Sequence, residues 1–156
     1  MTFLVTWRGH VRPEWIDVNG HVNSTHYNTI AYQAQAEHTA HLGVGDTYVF
    51  TTGLGKMVVE QHFHYQRELR GSDQISVRSW VLGVDDKRIH VAHQIVRDVD
   101  DEVVATVEQL DLSVDLSTRR VAPLPAEVRA RIQELVTPEL PESLSVLGVP
   151  RFATRP

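Results

Sequence analysis

The stretch that decides the fold runs WIDVNGHVN from Trp15 to Asn23 and continues STHYNTIAYQAQAEHTAHL from Ser24 to Leu42. Asn19-Gly20 supplies the positive φ that a tight turn requires, and Asn23, Ser24 and Thr25 follow at once as candidate N-caps. From Ser24 to Leu42 there is no Pro or Gly. Tyr27, Ile30, Ala31, Ala34, His38 and Leu42 fall on one face at spacings of three and four, which predicts a single helix about 28 Å long. Gly43 fits the C′ position that ends it, and the alanines allow close approach to a sheet.

Working outward, residues 3–12 are rich in β-branched and aromatic types and stop at Pro13, as a first strand does. Beyond a Gly-punctuated connection from Gly43 to Gly55, four extended runs are expected at about 56–67, 74–84, 88–97 and 103–116. The turn-forming segments between them are Arg70-Gly-Ser-Asp73, Gly83-Val-Asp-Asp86 and Asp98-Val-Asp-Asp101. Ile75, Val77 and Ser79 alternate with Ser76, Arg78 and Trp80, the period of a strand with one drier face. These runs are expected to form an antiparallel meander. A helix from Pro125 to Val136 carries Val128, Ile132 and Leu135 on one side. Segregated helix and antiparallel strands define an α+β fold. One domain over 1–136 is expected, with a Pro-rich tail or arm over 137–156.

Composition narrows the function. At 156 residues with 42% hydrophobic and 22% charged, the chain has the content of one globular domain. Fifteen Lys and Arg against 20 Asp and Glu give a net charge of −5, which disfavours a nucleic-acid backbone as partner. There is no Cys, so thiolate metal sites, disulfides and cysteine nucleophiles are excluded. No apolar run is long enough to span a bilayer and the N-terminus lacks a secretory pattern, so no membrane partner and a cytoplasmic location are expected. Neither a Gly-x-Ser-x-Gly elbow nor a phosphate-binding glycine loop occurs.

The candidate chemistry sits before the long helix. Asp17, Asn19, His21 and Asn23 place one acid, two amides and an imidazole within seven positions. First-turn N–H groups can hold a developing oxyanion, and a nearby carboxylate can attack or activate water. Asx turns and caps use the same residue types without any chemistry, so the pattern leaves both roles open. His62 and His64 share a strand face with Glu68 four residues on, a partial cupin-like metal pattern, but the flanking glycine spacing and the second His motif are missing. His38 and His41 on the helix have no carboxylate partner beyond Glu37. Lys87-Arg88, Arg67 with Arg70, and Arg119-Arg120 are the basic clusters able to grip small-ligand phosphates.

Asp17-x-Asn-Gly-His-x-Asn23, the helix behind it and the strands beyond resemble the hotdog-fold thioesterases of the 4-hydroxybenzoyl-CoA thioesterase type over roughly residues 5–135. The resemblance implies a curved antiparallel sheet of about five strands wrapped around the helix, and hydrolysis of an acyl-CoA to acid and CoA without a cofactor. It also implies a homodimer, or a dimer of dimers, with two active sites at the dimer interface. It gives Asp17 the role of nucleophile or general base, and the helix start near Asn23 and Ser24 that of oxyanion site; His21 and Asn23 brace the loop or orient substrate. Where many relatives carry a helical carboxylate, this chain has Tyr32. Trp15–His21, Val59–His62, Gly83–His90 and Ala105–Gln109 are further similar to the thioesterases that accompany bacterial carnitine dehydrogenases, which implies betainyl-CoA as substrate. An aromatic wall would suit its trimethylammonium group, with Trp15, Tyr27, Tyr48 and Phe50 available and Lys87 and Arg88 for CoA. A non-catalytic acyl-CoA-binding hotdog protein, or a cupin-like protein using His62, His64 and Glu68, are the alternatives.

Overall fold

The computed structural model describes residues 3–139 and 141–147. Strand β1 (Leu4–His10) leads through a 3-10 turn at Pro13–Trp15 to helix α1 (Ser24–His41), a short helix α2 (Asp46–Thr52) and the long strand β2 (Leu54–Tyr65). Strands β3 (Gln74–Val84), β4 (Arg88–Arg97) and β5 (Glu102–Asp115) follow, then β6 (Arg120–Val121), helix α3 (Ala126–Glu134) and a 3-10 turn at Glu142–Leu147. The sheet is antiparallel in the order β1-β3-β4-β5-β2, with β6 on β5. It curls around α1, the hotdog arrangement.

The helix forms where the sequence predicts it. Asn23 caps it, accepting from the Thr25 N–H, and Gly43 ends it at φ +72°, a conformation glycine reaches without a Cβ penalty. Its buried face is Tyr27, Ile30, Ala31, Ala34 and His38, with Leu42 just beyond. The upper half of α1 packs with Ile75, Val77, Ile95 and Ala105 of the sheet. A second apolar cluster joins Leu42, Val81, Ile89 and Val91 to Val128 and Ile132 of α3.

One expectation fails. Only β3, β4 and β5 form a meander; β2 lies at the far edge, paired with β5 rather than β3. Residues 66–73 therefore carry the chain across to the β1–β3 side. This crossing is anchored by Leu69, fully buried, whose N–H donates to the Tyr27 hydroxyl at 3.2 Å and whose carbonyl accepts from the Val22 N–H at 2.9 Å. Turn residues mark where a strand ends but not which neighbour it meets, because pairing is settled by non-local contacts. Helix α2, also unforeseen, consists largely of Thr, Tyr, Val and Phe, poor helix formers, and buries none of its residues.

The described part of the tail is docked on the sheet. Thr137 donates its N–H to the Val81 carbonyl at 2.9 Å, and Leu144, fully buried, packs on Trp80 and Ala92 on the sheet face away from α1. Gln94 Nε2 donates to the Ser143 carbonyl at 2.6 Å. Residues 148–156 of the expected arm lie outside the described residues.

Candidate active site at the start of the long helix

Residues 15–23 fold into a closed loop whose ends are tied to the helix they precede. The Asp17 N–H donates to the His21 carbonyl at 3.1 Å, the Gly20 N–H to the Asp17 carbonyl at 3.0 Å, and the Asn23 N–H to the Trp15 carbonyl at 2.9 Å. Gly20 adopts φ +80°, which closes the turn. Ile16 and Val22 pair as a bridge, with Val22 buried in the core. The loop is thus fixed to the crossing segment through Leu69 on one side and to α1 on the other.

Within it the Asp17 carboxylate is held by two donors. Oδ1 accepts from the Asn19 N–H at 2.8 Å, and Oδ2 accepts from Asn23 Nδ2 at 3.2 Å. The Asn19 N–H above all, then the Asn23 amide and the nearby His21, hold its pKa below the ordinary carboxylate value against an opposing desolvation. Asp17 is an anion at neutral pH. Asn23 faces the other way with Oδ1, which accepts from the Thr25 N–H at 3.1 Å and the Thr25 hydroxyl at 2.8 Å. Among the described residues, the Ser24 N–H donates neither to the backbone nor to a side chain, so the first helical amide, next in sequence to the Asn23 that binds the anion, is open. The helix dipole adds partial positive charge there. A carboxylate and an unclaimed amide at one helix terminus can act on the carbon and the oxygen of one carbonyl.

His21 is partly buried, with Nδ1 3.3 Å from the Val22 carbonyl. Trp15 is 7% exposed and stacks on His26, ring centroids 5.6 Å apart. Tyr27 is 3% exposed, its hydroxyl taken by Leu69. Both rings belong to the core in this chain and support the loop from beneath. Tyr48 is partly buried and Phe50 exposed, both on α2.

Lys87 and Arg88 are not brought to Asp17. They lie in the β3–β4 hairpin, whereas the Asp17 loop sits at the other end of β3, whose ten steps span about 33 Å at 3.3 Å each. Lys87 is exposed; Arg88 is bound through Nε to Asp85 Oδ2 at 2.6 Å. Between α1, α2, the start of β2 and α3, on that same side of the molecule, lies a cavity of about 990 Å³ lined by Tyr32, Tyr48, Asp46, Lys56, Glu127 and Arg131, among others. Tyr32 of α1 faces this cavity.

The cupin-like alternative is not assembled. His62 and His64 do share one face of β2, but His62 Nε2 lies 3.6 Å from Glu60, and Glu68 lies past the strand end, bound by Arg70. The sheet order is not that of a jelly roll, and among the described residues no three His, Cys, Asp or Glu are grouped to hold a metal.

Residues 11–132 match the model of the thioesterase-like superfamily. The chain belongs to that family, and its fold and sequence place it among the thioester hydrolases. It is 31% identical over 152 residues to the betainyl-CoA thioesterase of Pseudomonas aeruginosa, covering 94% of this chain and 96% of that one. A crystal structure from Pseudomonas putida KT2440 superimposes with a TM-score of 0.73 at 30% identity, over 100% of this chain and 96% of the other. A Staphylococcus aureus protein solved in complex with CoA shares the fold at a TM-score of 0.78 and 23% identity, covering 92% and 94%.

Proposed function

We propose that this chain hydrolyses betainyl-CoA to betaine and CoA, with Asp17 as the catalytic carboxylate and the Ser24 N–H as the oxyanion donor. The observation that carries the site is an ionised, doubly hydrogen-bonded carboxylate bound by the helix's N-cap residue, Asn23, with the Ser24 amide that follows left open. As general base, Asp17 takes a proton from water; the hydroxide adds to the thioester carbon, the carbon–sulfur bond breaks, and the proton passes to the leaving thiolate. As nucleophile, Asp17 forms an acid anhydride with release of the thiolate, and water then cleaves the anhydride. In either route the negative charge on the carbonyl oxygen falls on the amide, which is where a fixed donor lowers the barrier.

The similarity to the Pseudomonas aeruginosa enzyme along nearly the whole chain supports the substrate. A homodimer completes the site. Strand β2 is an edge that exposes Met57, Val58, Val59 and Tyr65, and exposed apolar edges invite pairing with a second strand. Antiparallel pairing of β2 with its copy sets the Lys87–Arg88 end of one subunit against the Asp17 end of the other, where Lys87 meets the CoA phosphates.

The test is thiol release from betainyl-CoA by the wild type and Asp17→Asn. Turnover should fall by about three orders of magnitude with the circular dichroism spectrum unchanged, since the acid acts in the transition state. An unaltered rate rejects Asp17. Single turnover in H2 18O identifies the nucleophilic route where water cleaves the anhydride at the Asp17 carbonyl, since label then enters the Asp17 carboxyl group, which the general-base route never labels.

A further inference from the structure

We propose that Thr25 is a positioning residue for the reaction: its hydroxyl locks the Asn23 amide in the one orientation that presents Nδ2 to Asp17 and leaves the Ser24 N–H for substrate. The inference rests on the assignment of Asp17 as the catalytic acid. A side-chain amide has one accepting end and one donating end. Asn23 stands between a carboxylate, which can only accept, and the Thr25 N–H, which can only donate, so the oxygen must face Thr25 and the nitrogen must face Asp17. The N–H alone holds that oxygen at 3.1 Å; the Thr25 hydroxyl adds a shorter bond, 2.8 Å, to the same atom.

The second bond matters because Asn23 is the only side chain among the described residues that donates to Asp17 Oδ2, and it does so at 3.2 Å. An amide free to swing about its terminal torsion, which is broad for Asn, loses that contact first. The same arrangement divides the amides of the first turn. Asn23 Oδ1 satisfies the Thr25 N–H and the Asn23 carbonyl takes the His26 N–H, so the cap consumes its own donors and spares the Ser24 amide. Thr25 is exposed and its hydroxyl is taken by Asn23 Oδ1, so it acts through Asn23 rather than on substrate.

The test compares the wild type, Thr25→Val, Thr25→Ser, Asn23→Asp and Asp17→Asn on betainyl-, butyryl- and benzoyl-CoA, read by thiol release across pH. Valine keeps the shape and removes the hydroxyl. It should lower kcat about tenfold, in keeping with the loss of one buttressing hydrogen bond, with KM changed less than twofold. The acidic limb of kcat should move to higher pH, because Asp17 loses a donor that favours its anion. Serine should restore both. Asn23→Asp still caps the helix but repels Asp17, and should move the limb further in the same direction. A Thr25→Val enzyme with wild-type kcat and pH limb, or a serine variant no better than valine, overturns the proposal while Asp17 stands if Asp17→Asn is inactive. Full activity in Asp17→Asn, or no turnover of any of the three esters by the wild type, overturns both.

Discussion

His38 of α1 stands edge-on to His93 of β4, ring centroids 5.5 Å apart at 83°. The pair belongs to a polar belt crossing the helix-facing side of the sheet, in which Ser79 Oγ lies 2.6 Å from His93 Nδ1 and 2.8 Å from the Thr6 hydroxyl. The belt separates the two apolar clusters around the ends of α1. Burial, then the charges of His41 and Lys56, push His38 down to about 3. Burial, followed by His38 and Lys56, pushes His93 well below the ordinary value. Both rings are neutral in the fold.

A pH dependence of stability follows. Each imidazole titrates near 6.5 once unfolded, so the unfolded chain takes up protons that the folded one refuses. Stability is full above pH 6.5 and falls below it, by up to about 1.4 kcal/mol per pH unit for each ring. Urea melts between pH 7 and 5, above the range where most carboxylates titrate, should show the slope, and His38→Met should reduce it by about half. A slope unchanged in that variant places its origin elsewhere.

The exposed edge of β2 yields a second prediction. Val59 is 50% exposed there, and a lysine on an edge strand blocks strand addition. Val59→Lys should shift the proposed dimer to monomer in sedimentation velocity and lower activity in proportion to dimer lost. A monomeric wild type, or a variant that stays dimeric with full activity, argues against β2 as the interface.

Lys87 and Arg88 are not equivalent, since Arg88 is held by Asp85 while Lys87 projects into solvent. Lys87→Ala should raise KM for CoA esters about three- to tenfold and leave N-acetylcysteamine thioesters, which lack the phosphates, unaffected. Equal effects on both would remove the phosphate role.

Leu144 anchors the tail on Trp80 and Ala92. Leu144→Ala should lower stability by about 2–3 kcal/mol, the low end for a buried leucine because the tail can readjust, with kcat unchanged. Thermal melts and thiol release measure the two independently.

The elements of the fold were legible wherever one physical signal dominated. The face Tyr27, Ile30, Ala31, Ala34, His38 and Leu42 is buried as its spacing requires, and the bounds of β3 and β4 coincide with turn residues. Helix α2 was not legible because its residues favour strands and only the flanking Gly45 and Gly53 bound it. In the site, Asp17 and Asn23 share one loop and Ser24 opens the helix that follows it, because the three are near in sequence. The role of Thr25 was hidden behind its fitness as a cap, and the buried state of Trp15 and Tyr27 could not be told from an aromatic wall, because both uses select the same side chains.

By itself the sequence determined the local structure: a turn at Asn19-Gly20, a cap at Asn23, a long helix with one apolar face, and strands of period two. These are set by torsional preference and by burial along a repeating face, which act over a few residues. Only the tertiary structure decided that β2 crosses to the far edge, that Leu69 ties the Asp17 loop to the crossing segment, and that Lys87 lies a sheet's length from Asp17 within one chain. Such relationships depend on which distant strands share hydrogen bonds, and contacts between residues far apart in sequence leave no periodic mark on it.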